Sequence, residues 1–219
     1  MLNDNEYAKQ IIAKRIAQEL QDGDVVNLGV GIPTLVVDYL AEDTHVVFVT
    51  DNGIIGMGPT PDEFDKDVVG AGGFAASILP YGSFCDSNMA FSIMRGGHLD
   101  KCVIGALQVD EHGNLASWII PGESIHGMGG AMDLAVGAKQ VLIAMHHTAN
   151  GKPKLVKNCN LPLTAPNCVD KIVTELGVFK ITPSGFLLTE RFWHTTVEEI
   201  KQCCEADITV SKDLKIIAE

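Results

Sequence analysis

Asp51 is the first residue whose type and place could do chemistry. It follows an apolar run, His45-Val46-Val47-Phe48-Val49, and opens the turn Asp51-Asn52-Gly53. A β-branched run of that kind predicts a buried strand. In an open α/β sheet, the crevice beyond the carboxyl ends of the strands is where ligands bind. A carboxylate there could attack a thioester as a nucleophile, or activate water as a general base. The same three residues also form a common strand-stopping Asx turn, and the stretch alone leaves both readings open. A second candidate is Asn27, an amide near the end of the predicted strand Asp24–Leu28. It could donate to an oxyanion or simply hold loop backbone.

Three glycine clusters accompany these side chains: Gly29-Val30-Gly31, Gly70-Ala71-Gly72-Gly73 and Gly127-Met128-Gly129-Gly130. Glycine allows backbone N–H groups to approach a ligand closely. Gly29 and Gly31, Gly72, and Gly129 with Gly130 are therefore candidate ligand-binding positions. The first cluster is no dinucleotide fingerprint, because its third glycine is missing and Pro33 intrudes. No G-x-S-x-G, HExxH or C-x-x-C pattern occurs, so neither a serine-hydrolase elbow nor a metal site is expected.

The elements that must position these residues alternate. A helix is expected over 5–21, with Asn3 and Glu6 as a capping box. A strand at 24–28 leads to a helix from Pro33 to about Leu40, and a strand at 45–49 follows. After a polar loop at 60–67, the chain offers a short strand, Ala76–Leu79, ending at Pro80. A helix from Asp86 or Ser87 to about Met94 comes next. Lys101–Val109 reads as one strand buried on both faces. Leu115–Ile120 and Val141–Met145 read as further strands, separated by a short helix after the third glycine cluster. Val169–Leu176 predicts a helix, and Val178–Ile181 with Gly185–Glu190 a hairpin. A late helix is expected to be capped by Thr195 with Glu198 three residues on, and a last strand covers Asp207–Val210. The alternation gives an α/β class: an open, mostly parallel sheet with helices on both faces, as one domain over 1–219.

Composition narrows function further. A chain of 219 residues with 46% hydrophobic content can build one sizeable core. A formal charge of −12 argues against nucleic acid, which is bound by neutralising phosphates. Six scattered cysteines and a polar start, Met1-Leu2-Asn3-Asp4, suggest reduced thiols in a cytoplasmic protein without a signal peptide. Among lesser candidates, His98 could be a base or a buried hydrogen-bonded imidazole. Arg95 could meet a phosphate or a neighbouring carboxylate. Glu123 and His126 could line an acyl pocket or be loop residues. Trp118 and Trp193 read as core or interface, and Cys203 and Cys204 as inert thiols.

Several blocks in order resemble the β subunit of family I CoA-transferases, and the C-terminal half of succinyl-CoA:3-oxoacid CoA-transferase. They are Asn27–Pro33, Asn52–Gly58, Ile93–His98, Gly105–Val109, Gly127–Asp133 and Leu161–Thr164. The resemblance implies an open α/β fold, a partner α subunit, an α2β2 assembly and an active site at the subunit junction. It implies a ping-pong route through an enzyme–CoA thioester, with CoA as substrate and no tightly bound cofactor. Acetate, butyrate and acetoacetate are the acids it suggests. The family's catalytic glutamate falls on Asp51, its oxyanion asparagine on Asn27, and the backbone amide serving the thioester on Gly130. A lysine that follows the second glycine cluster in animal members is replaced here by Gly73.

The family reads Ser-Glu-Asn-Gly where this chain reads Thr50-Asp51-Asn52-Gly53. Aspartate is one methylene shorter, which moves the oxygen by about 1 Å, a misplacement that can cost about a hundredfold in rate. An engineered replacement, or a backbone shifted to compensate, would each account for it. So would a general base that turns the site into an acyl-CoA hydrolase, or a CoA-binding subunit that has lost its chemistry.

Overall fold

The computed structural model describes residues 5–63, 65–122 and 127–218. Asn3 of the expected capping box, Phe64 of the polar loop, and Glu123 and His126 lie outside them. Eight strands form the main sheet: β1 (Val25–Leu28), β2 (Val47–Phe48), β3 (Lys101–Ile104), β4 (Gln140–Ala144), β5 (Lys171–Val173), β6 (Gly177–Thr182), β7 (Gly185–Phe192) and β8 (Ile208–Ile217). Their order is β8-β7-β6-β5-β4-β3-β1-β2. The neighbours from β5 through β2 are all parallel, as are β7 and β8, while β6 runs antiparallel to both neighbours. The sheet is thus mostly parallel, as expected.

Side chains alternate between two cores, one on each face. On one face Val26, Val103, Leu142, Ala144 and Val173 pack with Ile12, Ala13 and Ile16 of helix α1 (Asn5–Ala17) and with Val36 of a 3-10 helix, Ile32–Tyr39. On the other, Cys102, Ile104, Val141, Ile143 and Ile172 pack against α2 (Ser87–Arg95), α3 (Ala131–Gly137) and α4 (Val197–Gln202). Strands covered on both faces read as unbroken apolar runs, the pattern of 45–49, 101–104 and 141–145. Charge also fixes α1 to the sheet: Arg15 donates to Glu190 at 2.6 and 2.8 Å and pairs with Glu19 at 2.7 Å, and Glu19 reaches Lys171 of β5.

Several expectations need correction. Val169–Leu176 is not a helix. Lys171–Val173 is a strand held by β4 on one side and β6 on the other, so pairing on both edges decides a short apolar run whose period is ambiguous. Lys101–Val109 is two strands, Lys101–Ile104 and Gln108–Asp110, broken at Gly105. Leu115–Ile120 shortens to Leu115–Ala116. The glycine-rich stretch after Asp51 is itself a strand, Ile54–Gly58, antiparallel to Ser77–Phe84, which continues through Pro80. The helix after Pro33 is of 3-10 type. The last helix is capped by Thr196, not Thr195, and its capping box uses Glu199, not Glu198. Asp86 does cap α2, accepting from the Met89 N–H at 2.8 Å.

Candidate active site

The parallel strand order places a topological switch between β1 and β3. From β1 the chain passes outward to β2 on one side. From β3 it passes through β4 to β5 on the other. Adjacent strands whose connections diverge leave a crevice at their carboxyl ends, where ligands bind in open α/β sheets. A cleft of about 590 Å³ opens at that point. It is lined by Asn27, Leu28, Gly29 and Val30 after β1, by Ile104 to Leu107 after β3, and by Asp51, Ala71, Ser117 and Gly127 to Ala131. Among the described residues, its only polar side chains are Asn27, Asp51 and Ser117. A second cavity, about 410 Å³, lies against α1 beside Tyr39 and Trp193 and holds none of the expected site residues.

The turn that presents Asp51 is built without its carboxylate. The Thr50 hydroxyl accepts from the Ile54 N–H at 2.9 Å and donates to Asn52 Oδ1 at 2.6 Å. The Gly53 N–H reaches the Thr50 carbonyl at 3.2 Å. Gly53 has φ +105°, and a Cβ there would lie 2.0 Å from the Cys85 carbonyl oxygen, so only glycine fits. Asn52 Nδ2 donates to the Val69 carbonyl at 2.9 Å and ties the turn to the second glycine cluster. The Asp51 side chain is half-buried. Desolvation raises its pKa above the usual aspartate range, opposed by hydrogen bonds from its own backbone N–H and that of Asn52.

Opposite Asp51 stands Gly130, the residue before α3. A Cβ built on Gly130 would lie 3.1 Å from Asp51 Oδ2 and 3.4 Å from Phe91 Cζ. The carboxylate therefore rests against bare backbone at the third glycine cluster. Asn27 is 3% exposed, and its Nδ2 donates to the Val49 carbonyl at 2.7 Å, joining the ends of β1 and β2. One amide hydrogen thus holds backbone, the bland role considered for it, and the second remains for a ligand.

The remaining glycines divide. Gly29 and Gly129 line the cleft. The Gly29 N–H is tied to the Val103 carbonyl at 2.8 Å. Gly31 caps the 3-10 helix with φ +98° and does not line the cleft. Nor does Gly72, where a Cβ would lie 2.9 Å from the Val30 methyls; its neighbour Ala71 does. Arg95 is held by Asp133 at 2.6 Å, the carboxylate alternative. His98 is exposed, contrary to the buried imidazole considered for it. The Cys204 thiol is pushed up to about 12 by burial, in keeping with an inert role. Sequence reasoning did not single out Ser117, whose partner Thr164 is distant in the chain.

Comparison with known proteins joins this geometry to a family. The family model described as coenzyme A transferase matches residues 9–202. The acetate CoA-transferase subunit beta of Escherichia coli (strain K12) is 47% identical over 94% of this chain and 96% of its own length. The chain belongs to the coenzyme A transferase family. This CoA-transferase chain is also 42% identical, over 97% of its length, to the mitochondrial succinyl-CoA:3-ketoacid coenzyme A transferase 2B of Mus musculus, of which it spans 42%. The apoenzyme structure of an acyl-CoA transferase from Escherichia coli O157:H7 superposes with a TM-score of 0.77 at 21% identity, covering 99% of this chain and 44% of that one. At that identity the likeness concerns the fold.

Proposed function

We propose that this CoA-transferase chain is a β subunit that moves CoA from a short-chain acyl-CoA to a free carboxylic acid, with Asp51 as nucleophile. The observation that carries this reading is the Asp51 carboxylate resting against the Gly130 backbone in the switch-point cleft, on a turn that does not need it. The Asp51 carboxylate attacks the thioester carbonyl, giving a mixed anhydride and CoA thiolate. The thiolate attacks the aspartyl carbonyl, releasing the first acid and leaving an Asp51–CoA thioester. The second acid attacks that thioester, re-forming an anhydride and freeing the thiolate. The thiolate then takes the new acyl group and regenerates the carboxylate. Each step has the same number of bonds made and broken, so no oxidant or reductant is consumed. The free hydrogen of the Asn27 amide and the backbone around Gly130 are the donors for the tetrahedral oxygens.

The reading includes an α subunit that completes the cleft, in an α2β2 assembly, and a cytoplasmic setting. Among the described residues, no helix is long and apolar enough to cross a membrane. Acetate, the acid in the name of the Escherichia coli relative, is the first acceptor to try, and butyrate and acetoacetate are the next acids.

The test is the fate of CoA. The chain is co-purified with its α partner and given acetoacetyl-CoA with and without acetate, beside Asp51→Glu. Acetyl-CoA formation, and a CoA adduct on the Asp51 peptide when acetate is withheld, are expected. Free CoA without acetyl-CoA, with transfer restored in Asp51→Glu, would make the shorter carboxylate a hydrolytic base. No turnover in either protein would leave only a CoA-binding role.

A further inference from the structure

The cavity of about 410 Å³ against α1 shares no lining residue with the catalytic cleft. Its chemistry is also different. Among the described residues, no aromatic side chain lines the cleft. The cavity takes Tyr7, Tyr39 and Trp193, two of the chain's three tyrosines and one of its two tryptophans. Trp193 is held in place by Phe192 and His194, which meet its ring at 75° and 78° with centroids 6.1 and 4.8 Å away. Among the described residues, the Trp193 indole N–H and the Tyr39 hydroxyl make no hydrogen bond. A fixed aromatic wall with spare donors is a ready surface for a flat ring, and the volume lies in the range of small-molecule sites, about 300–1,000 Å³.

Aromatic walls receive either flat rings or quaternary cations, and charge decides between them. The chain carries 28 acidic residues against 16 basic ones. Against that bias, Lys14 and Arg15 line the cavity and, among the described residues, no carboxylate does. Arg15 is engaged by Glu190 and Glu19 behind the wall, but its buried Nη1 has no partner among the described residues. That N–H leaves positive potential which no acceptor cancels. Lys14 is exposed and makes no ion pair among the described residues. Such a wall repels a cation and attracts an anion. We infer that this cavity is a second ligand site, separate from the catalytic cleft, for a flat aromatic anion, with the ring against Trp193 and Tyr39 and the charge on Lys14.

The αβ holoenzyme is titrated by calorimetry with three compounds of one ring: naphthalene-2-sulfonate, naphthalene-2-sulfonamide and 2-naphthyltrimethylammonium. A sulfonate is chosen because a carboxylate could act as an acceptor in the catalytic cleft. The sulfonate is expected to bind saturably, one per β subunit, about tenfold more tightly than the neutral sulfonamide, with the ammonium weakest. Lys14→Ala is expected to weaken the sulfonate about tenfold, and Lys14→Arg to restore it. Tyr39→Leu keeps bulk but removes the ring, and is expected to weaken binding about two- to tenfold. Saturating CoA is expected to leave the affinity unchanged. No saturable binding of the sulfonate would overturn the inference, as would equal or tighter binding of the neutral or cationic compound. Binding abolished by CoA and untouched by Lys14→Ala would place the probe in the catalytic cleft and overturn it too. The readout needs no turnover, so failure here leaves the transferase reading standing, and failure of that reading leaves this one.

Discussion

Replacing Gly130 with alanine sets one methyl group against the nucleophile. The new Cβ would lie 3.1 Å from Asp51 Oδ2, while ordinary van der Waals contact begins at 3.4 Å. The carboxylate must yield by about 0.3 Å. A 1 Å misplacement of reacting atoms costs on the order of a hundredfold, so a proportional share of that barrier predicts a loss of about three- to fivefold in turnover. Phe91 Cζ, at 3.4 Å, is already in ordinary contact and does not need to move. The backbone tolerates the change, because Gly130 has φ −84°. Stability is expected to fall only by about 0.5–1 kcal/mol, from a poorer residue ahead of α3.

Gly129→Ala is the matched control, with the opposite signature. Its φ is +55°, which disfavours alanine, but no atom lies within 4 Å of the added methyl. It should cost about 1 kcal/mol of folding stability, or roughly 2–4 °C in Tm for a chain of this size, through backbone strain. The assay is kcat for CoA transfer beside thermal unfolding, for both variants in the αβ enzyme. Turnover should fall more in Gly130→Ala, and Tm more in Gly129→Ala. A folded Gly130→Ala enzyme with native kcat would refute the placement of the reacting carboxylate against this backbone.

Two further outcomes concern pH. Burial raises the Asp51 pKa, so this group's stability contribution is present below the ordinary aspartate range and lost as pH rises through its folded value. Asp51→Asn should therefore raise Tm at pH 7, with the gain vanishing below the ordinary aspartate range, while the acid limb of native kcat/KM lies above that range; a Tm lowered at pH 7 would contradict the burial cost. His147 is fully buried between Thr174 Oγ1 and Cys204 Sγ, each 3.0 Å away, and burial holds its pKa down to about 4. Its contribution is present above the unfolded value near 6.5 and lost as pH falls toward 4, to a limit of about 3 kcal/mol. Urea midpoints measured from pH 7 to 4.5 should fall accordingly, and His147→Gln should flatten the slope; an unchanged slope would assign acid sensitivity to other groups.

The parts of the site legible in the sequence are those built from neighbours in the chain. The run 45–49 carried the signal of a buried strand, which forms over the shorter Val47–Phe48; Gly53 turns the chain, and Asp51 is left beyond the strand's carboxyl end. The glycine clusters were visible too, though spacing did not reveal that Gly129 and Gly130 would face the cleft while Gly31 and Gly72 would not. Contacts across long separations were hidden. Ile54–Gly58 was not assigned a strand, because its partner, Ser77–Phe84, lies some twenty residues on. Lys171–Val173 looked helical because its two sheet neighbours carry the decisive hydrogen bonds. Thr164 stood inside a recognisable block, but its link to Ser117 spans 47 residues. The shift of the last cap from Thr195 to Thr196 is a one-residue error between adjacent threonines, each with a glutamate three residues on.

The case for Asp51 as a working group rests on what it does not do. The turn is closed by the Thr50 hydroxyl and the Gly53 backbone, and it is tied to the next loop by Asn52. Among the described residues the Asp51 carboxylate receives the two nearest N–H groups, which do not offset its desolvation. A serine or asparagine in its place could serve the turn without the cost of a half-buried charge. A group that adds little to local structure and costs stability has its physical rationale in the space it faces. That space is the crevice between diverging connections, walled by apolar side chains and backbone, with room for a thioester. Low polarity is what makes the charge expensive there, and it is also what strips water from a nucleophile and strengthens nearby amide dipoles. The stability gain expected of Asp51→Asn and the loss of transfer expected with it thus have one origin.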